Sequence, residues 1–200
     1  KNSSSIGLVG CGVQAGMQLS MLRLIFKVQE VRTWGHQSGM AKSFVRRMRV
    51  KGETLRACSS IEEVVRGADI VVTTTPVRKP IVQWEWVKSG AHINAIGADA
   101  AGKQELDPRI LQKGRIIIDE WSQASHSGEI NVALKKGLIT KRNIFATLGQ
   151  IITRQKKLPV KSRRTTIFDS TGLAIQDTAV ARYIYDAAVR KKKGRRIRLF

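Results

Sequence analysis

Residues Ile6 to Val9 form a short apolar run, and the chain then reads Gly10-Cys11-Gly12-Val13-Gln14-Ala15 before apolar residues recur at helical spacing at Met17, Met21, Leu24 and Ile25. A strand running through a G-x-G-x-x-A turn into a helix limits the fold more than any other feature here, because each small residue has a steric task. Gly10 permits the tight turn, Gly12 leaves room for a pyrophosphate against the backbone, and Ala15 lets the helix pack closely on the strand. Free N–H groups and the helix dipole at the start of the helix then favour an anion. A purely structural glycine turn is the competing reading. The flanking strand and helix, and a second strand at the expected distance, Val31 to Trp34, fit a dinucleotide site better.

The same alternation continues down the chain. A basic helix is predicted from about Gly39 to Val50, a strand over Leu55 to Cys58, and a helix opened by Ser60 as N-cap with Glu62 and Glu63 in its first turn. Ile70 to Thr73 and His92 to Ile96 read as strands, Asp107-Pro108 seeds a helix, and Arg115 to Asp119 carries the continuous apolar strand core Ile116-Ile117-Ile118. Strands alternating with helices predict an α/β, Rossmann-type, doubly wound and mostly parallel sheet. Beyond Asp119 the rhythm changes: loop and short helix over Gln123 to Leu138, a helix over Thr147 to Gln155, and a basic linker over Lys156 to Arg164. A last inner strand follows at Thr166 to Phe168, then a long amphipathic helix from Leu173 to Arg190 and an extended segment from Arg195 to Leu199. The predicted division is a dinucleotide-binding domain over 1–165 and a strand-helix-strand segment over 166–200 that returns toward a substrate domain absent from this chain.

At 42% hydrophobic residues, the 200-residue chain can bury a core, which argues against disorder. Its 36 Lys and Arg against 15 Asp and Glu give a net charge of +21. The basic runs show no recognition-helix, ribonucleoprotein or finger pattern, so a solvated surface is expected rather than a nucleic-acid partner. No apolar stretch is long enough to span a membrane, and a cytoplasmic protein is expected. His36, His92 and His126 have no partner at metal-ligand spacing, so no metal site is predicted; His92 reads as a core or edge histidine. Trp84 and Trp86, two apart, read as packing on a sheet edge rather than stacking on bases, and Cys11 and Cys58 as reduced core or loop residues.

An acidic residue at the end of the second strand ordinarily bonds the ribose 2′-hydroxyl of NAD. Here that strand ends Thr33-Trp34-Gly35-His36-Gln37-Ser38 without a carboxylate. His36, Gln37 and Ser38, with Lys42 and Arg46, suit a 2′-phosphate, while a solvated loop and helix face is the bland alternative. NAD and NADP both stay open.

Three later blocks are more specific than the glycine turn: Thr73-Thr74-Thr75-Pro76, then His92-Ile93-Asn94-Ala95-Ile96-Gly97-Ala98-Asp99 running on to Gly102-Lys103-Gln104-Glu105-Leu106, and Phe168-Asp169-Ser170-Thr171-Gly172. With the glycine turn they make the chain resemble, along essentially its whole length, the ornithine cyclodeaminase/mu-crystallin family, most closely its archaeal alanine dehydrogenase branch. The resemblance implies that Val13 and Gln14 contact the cofactor phosphates, Thr75 the nicotinamide-side ribose or diphosphate region with Thr74 beside it in the cofactor site, and Ile96, Gly97, Ala98 and Asp99 the nicotinamide end. Lys103 and Ser170 match further cofactor contacts, and Asp99 matches the family's acid/base aspartate. A turn cap is the bland reading of Asp99, and an exposed loop charge that of Arg78. Glu129 matches a family loop, with no chemistry attached to it. The family's substrate-clamping arginines and catalytic lysine belong to a front region with no counterpart here, and an abrupt start at Lys1 is read as the later part of a longer protein.

The resemblance implies NAD(P)-dependent oxidative deamination of L-alanine to pyruvate and ammonia, and the reverse, in a protein that is a homodimer at full length. The alternatives are ornithine cyclodeaminase or ketimine reductase activity, or a non-catalytic nucleotide-binding or basic scaffold.

Overall fold

The computed structural model describes residues 4–159, 162–195 and 197. The first half is regular: β1 (Ser5–Val9), α1 (Val13–Ile25), β2 (Glu30–Trp34), α2 (Met40–Met48), β3 (Thr54–Ala57), α3 (Ile61–Val65) and β4 (Ile70–Thr73). Then come β5 (His92–Ala95), α4 (Pro108–Lys113), β6 (Arg115–Ile118), α5 (Trp121–Ser127) and α6 (Asn131–Lys135). The chain closes with β7 (Ile144–Thr147), α7 (Leu148–Ile152), β8 (Thr166–Asp169) and α8 (Ala174–Arg190). All strand pairs are parallel, in the order β3-β2-β1-β4-β5-β8-β6-β7.

Side chains alternate through the sheet into two apolar layers, as the two-residue period of a strand requires. Ile6, Leu8, Val31 and Val72 meet Ala15, Leu19 and Leu22 of α1 and Phe44 of α2 on one face. Val9, Val71, Ile93, Ile116 and Ile167 meet Val64, Val65, Ile110, Leu111 and Ala124 of α3, α4 and α5 on the other. Covered faces make the central strands apolar throughout, with each fully buried aliphatic side chain contributing roughly 1.5–3 kcal/mol. The expected doubly wound sheet is thus present. The Ser60 hydroxyl accepts from Glu63 N at 3.1 Å and the Asp107 carboxylate accepts from Arg109 N at 2.8 Å, so both expected helix starts carry their caps.

The structure departs from the sequence expectations after Asp119. Ile144–Thr147 is an eighth, unforeseen strand paired with β6, and Thr147 is not inside a helix but its N-cap, accepting from Gln150 N. The helix it caps ends at Ile152 rather than running to Gln155, because only one turn follows the strand. Residues expected as loop and short helix form two short helices, α5 and α6. Trp84 and Trp86 sit on a 3-10 turn against the core, with the Lys113 ammonium 4.9 Å from the Trp84 ring centroid. The expected terminal extended segment lies largely outside the described residues. No helix among the described residues is long and apolar enough to cross a membrane.

β8 is inserted between β5 and β6, so the chain passes out to the sheet edge and returns to its middle. By contrast α8 buries none of its side chains among the described residues, leaving Val180, Tyr183 and Ile184 open to solvent. The two ends of the 166–200 segment therefore differ in energetic weight. Ile167→Ala, at a fully buried central position, is expected to lower unfolding stability by about 2–5 kcal/mol, whereas Val180→Ala changes it by less than about 0.5 kcal/mol. Urea denaturation of the two variants beside the parent chain measures both.

Candidate cofactor-binding site

The strands of a parallel sheet all end on one side, and their register here brings several ends level. Val9 pairs with Trp34 and Thr73, Thr73 with Ala95, and Ala95 with Asp169. The residues that follow, among them Gly10, Gly35, Thr74, Ile96 and Ser170, therefore surround one crevice beyond the carboxyl ends of the strands, the usual place for ligands in open α/β sheets. Gly10, Gly12, His36, Gln37, Thr74 and Thr75 line a groove of about 620 Å³ with Trp34, Met40, Pro76, Val77 and Ile81. Ser38 lies in an adjoining groove of about 440 Å³ together with Lys42 and Ser59.

The two glycines of the turn have different causes. Gly10 has φ +110°, and a β-carbon there would stand 2.4 Å from Thr74 Oγ1, so the fold itself demands glycine. Gly12 has an ordinary extended conformation, φ −81° and ψ −164°, and nothing lies within 4 Å of the place a β-carbon would take. Folding does not require a glycine at position 12, and the open space before it exposes the backbone at the start of α1. That helix start has no side-chain cap and no acidic residue in its first turn. Val13 and Gln14 are exposed there, while Ala15 is buried against Leu8 and Leu19. A dinucleotide pyrophosphate suits this surface: unpaired N–H groups, the positive end of a 13-residue helix and no side chain in the way.

The opposite side of the crevice is built on carboxylates. Glu105 is fully buried, and its side chain accepts from Thr73 Oγ1, Thr75 N and Thr75 Oγ1, each at 2.6 Å, and from Gly97 N at 3.0 Å. One carboxylate thereby ties the loop after β4 to the loop after β5. The backbone of Glu105 is held in turn by Glu129, whose carboxylate accepts from Glu105 N at 2.9 Å and Leu106 N at 2.7 Å. Asp169, at the end of β8, accepts from Glu129 N at 2.8 Å and Ile130 N at 3.1 Å. Asp119 does the same for the loop after β8, accepting from Thr171 N at 2.6 Å and Gly172 N at 2.9 Å. Asn131 completes the frame, accepting from Gly102 N at 2.9 Å and donating to Lys103 O at 2.9 Å.

On this frame the expected nicotinamide-side residues are set in different environments. Ile96 packs partly against the α1 layer, Ala98 is buried, and Ser170 N donates to Ala95 O at 3.1 Å. Asp99 has a side chain 63% exposed at the mouth, where it is paired with Lys103. The hydrogen bond from the Lys103 ammonium holds the Asp99 carboxyl below its ordinary range. Arg78 donates to Ala101 O at 3.1 Å and braces the same loop. His92 stands away from the crevice at the start of β5, between Thr166 Oγ1 at 2.7 Å and Asn94 Oδ1 at 2.9 Å, and its burial favours the neutral ring. No group of three or more metal-ligating side chains occurs among the described residues.

The four acidic residues of the frame are far apart in the sequence, and no local motif joins them. The available signal was local: Asp119 and Asp169 each end an apolar strand, where an acid is costly unless it is bonded.

A profile of the ornithine cyclodeaminase/mu-crystallin family matches residues 1–192. Alanine dehydrogenase from Archaeoglobus fulgidus is 48% identical over 200 residues, covering all of this chain and 62% of the relative. The ketimine reductase mu-crystallin of Macropus fuliginosus is 36% identical over 187 residues, 93% of this chain and 56% of the relative. A solved structure described as an archaeal alanine dehydrogenase dimer with bound NAD superimposes with a TM-score of 0.95 at 48% identity, covering 100% of this chain and 62% of that one. The chain thus spans less than two thirds of the length of these relatives.

The buried acids leave a mark on stability. Burial pushes the Asp169 carboxyl up to about 7 and raises those of Glu105 and Glu129, the last also because it faces the Glu105 charge. A folded-state value above the unfolded one means the folded protein holds the proton more tightly, so this contribution is full below the unfolded value of about 4 and is lost as pH rises toward 7. The stability difference between the parent chain and Asp169→Asn is expected to shrink with rising pH across that window, with a slope of at most about 1.4 kcal/mol per pH unit. Chemical denaturation of both proteins at pH values from 4 to 8 measures it; a difference independent of pH contradicts the assignment.

Proposed function

The chain belongs to the ornithine cyclodeaminase/mu-crystallin family, and from that premise we propose that it is the nucleotide-binding part of an NAD(P)-dependent oxidoreductase of amino-acid metabolism, with L-alanine as substrate. The observation that carries the reading is Gly12, where the fold makes no demand for glycine and a dinucleotide does. In the full-length protein the reaction is oxidative deamination to pyruvate and ammonia, and its reverse, in a cytoplasmic homodimer. Support for the dimer comes from the dimeric alanine dehydrogenase structure and from the uncovered apolar side chains of α8. Reduction of a cyclic ketimine is a second reading, favoured by the 36% identity to a ketimine reductase.

A nicotinamide cofactor, when bound, supplies the hydride chemistry. The residues of this chain have separate parts. Backbone N–H groups of Val13 and Gln14 at the uncapped start of α1 would hold the pyrophosphate, and Thr74 and Thr75 would line the same groove beside it. The Glu105 carboxylate keeps Thr75 and Gly97 in place at the nicotinamide end without touching solvent. At the mouth, the Asp99 carboxylate, ionised and paired with Lys103, takes a proton from the water that attacks the substrate imine. It then returns that proton to the departing ammonia. Orientation against the nicotinamide face removes much of the entropic barrier to such steps.

Gly12→Val is expected to unfold at the same denaturant concentration as the parent, since its β-carbon meets nothing, yet to lose NADH and NADPH binding followed by energy transfer from tryptophan. Unaltered binding would overturn the site. Asp99→Asn, introduced into the native gene product, is expected to lower turnover by about 100-fold or more while leaving cofactor affinity near its starting value. Unchanged turnover removes Asp99 from the mechanism.

A further inference from the structure

Resting on the nucleotide-binding reading, we infer that this chain takes the 2′-phosphorylated cofactor, NADP(H), in preference to NAD(H). Selection against the 2′-phosphate ordinarily comes from a carboxylate at the end of the second strand, which accepts from the ribose 2′-hydroxyl and repels a phosphate. In this chain the strand ends at Trp34 and leads into Gly35 and His36. Its one acid, Glu30, begins the strand, about 13 Å away at the rise of an extended chain, and is paired with Arg56.

The groove of about 440 Å³ beside this turn shares Trp34, Gly35, His36 and Gln37 with the larger groove that begins at the glycine turn, so the two are continuous. Where the larger groove is bounded by apolar side chains suited to a flat base, the smaller one presents His36, Gln37, Ser38, Lys42 and Ser59, with no Asp or Glu lining it. The nearest acid from the neighbouring helix, Glu63, is engaged by Arg56 and by the Ser59 backbone N–H at 3.2 Å. Lys42 forms no ion pair among the described residues, and Arg46 lies one turn further along the same face of α2. A phosphate dianion placed there gains hydroxyl and amide donors and a free ammonium, and meets no opposing charge. The chain's net charge of +21 adds a field of the same sign.

The test is titration of the chain with NADPH and, separately, NADH near pH 7.5 at moderate salt, followed by energy transfer from tryptophan, repeated on Lys42→Ala. NADPH is expected to bind more tightly by about tenfold or more, the value of one well-made charged hydrogen bond. Lys42→Ala is expected to remove most of that advantage and to leave NADH affinity unchanged, and added salt is expected to weaken NADPH more than NADH. Equal or tighter binding of NADH overturns the inference, as does a Lys42→Ala loss shared equally by both cofactors. If the folded protein binds neither, the nucleotide-binding reading itself falls, a result that differs from mere loss of selectivity.

Discussion

Buried carboxylates bonded to backbone N–H groups hold the crevice together. The loops after β4, β5 and β8 have no regular structure of their own, and their amides would be left unpaired below the surface if no acceptor were supplied from elsewhere. Glu105, Glu129, Asp169 and Asp119 supply it, each reaching a loop far from its own in the chain. A carboxylate offers up to four acceptor positions and no donor, which suits it to gather several N–H groups at once. The cost is burial of an acid, and it shows in the raised proton affinity of Glu105, Glu129 and Asp169. The shape of this side of the crevice and the placement of Asp99 both rest on this frame.

The side of the crevice formed by the glycine turn is organised differently. Its precision comes from the absence of side chains, with Gly10 closed against Thr74 and Gly12 open to solvent, and from the free N–H groups at the start of α1. One half of the crevice is therefore made by steric room on a rigid strand–helix junction and the other by side-chain acceptors. The acids committed to the frame and to ion pairs such as Arg23–Glu53 and Lys88–Asp69 leave few to oppose the basic residues of α2 and the later loops. The surplus positive charge on α2, beside the groove lined by His36, Gln37 and Ser38, follows from that allocation.

Much of the fold is legible residue by residue. The alternation of Ile6, Leu8 and Val9 and the caps at Ser60 and Asp107 are local signals, and their elements stand where they point, whereas the spacing of Met17, Met21, Leu24 and Ile25 marks the helix but not its buried face: those four side chains are exposed and Ala15, Leu19 and Leu22 meet the sheet. The glycine turn and Thr74 and Thr75 are equally legible as lining of the crevice, since strand ends must bring those positions there. β7 was hidden because Ile144-Phe145-Ala146-Thr147 is short and is followed at once by a helix whose capping threonine belongs to both. Glu129 was visible only as a residue without a task, because its partners, the amides of Glu105 and Leu106, lie 24 and 23 residues away.

The parallel, doubly wound sheet, the glycine turn and the missing carboxylate after β2 are all written in the residue order, because each depends on residue size, period or charge within one or two neighbouring elements. That β8 enters between β5 and β6, that Glu105 clamps two loops, and that Gly12 faces open space while Gly10 does not emerges on folding alone. Those facts are made by side chains and backbone groups brought together from distant parts of the chain. Contacts of that kind leave no periodic or compositional trace, since what pairs them is the packing of the sheet.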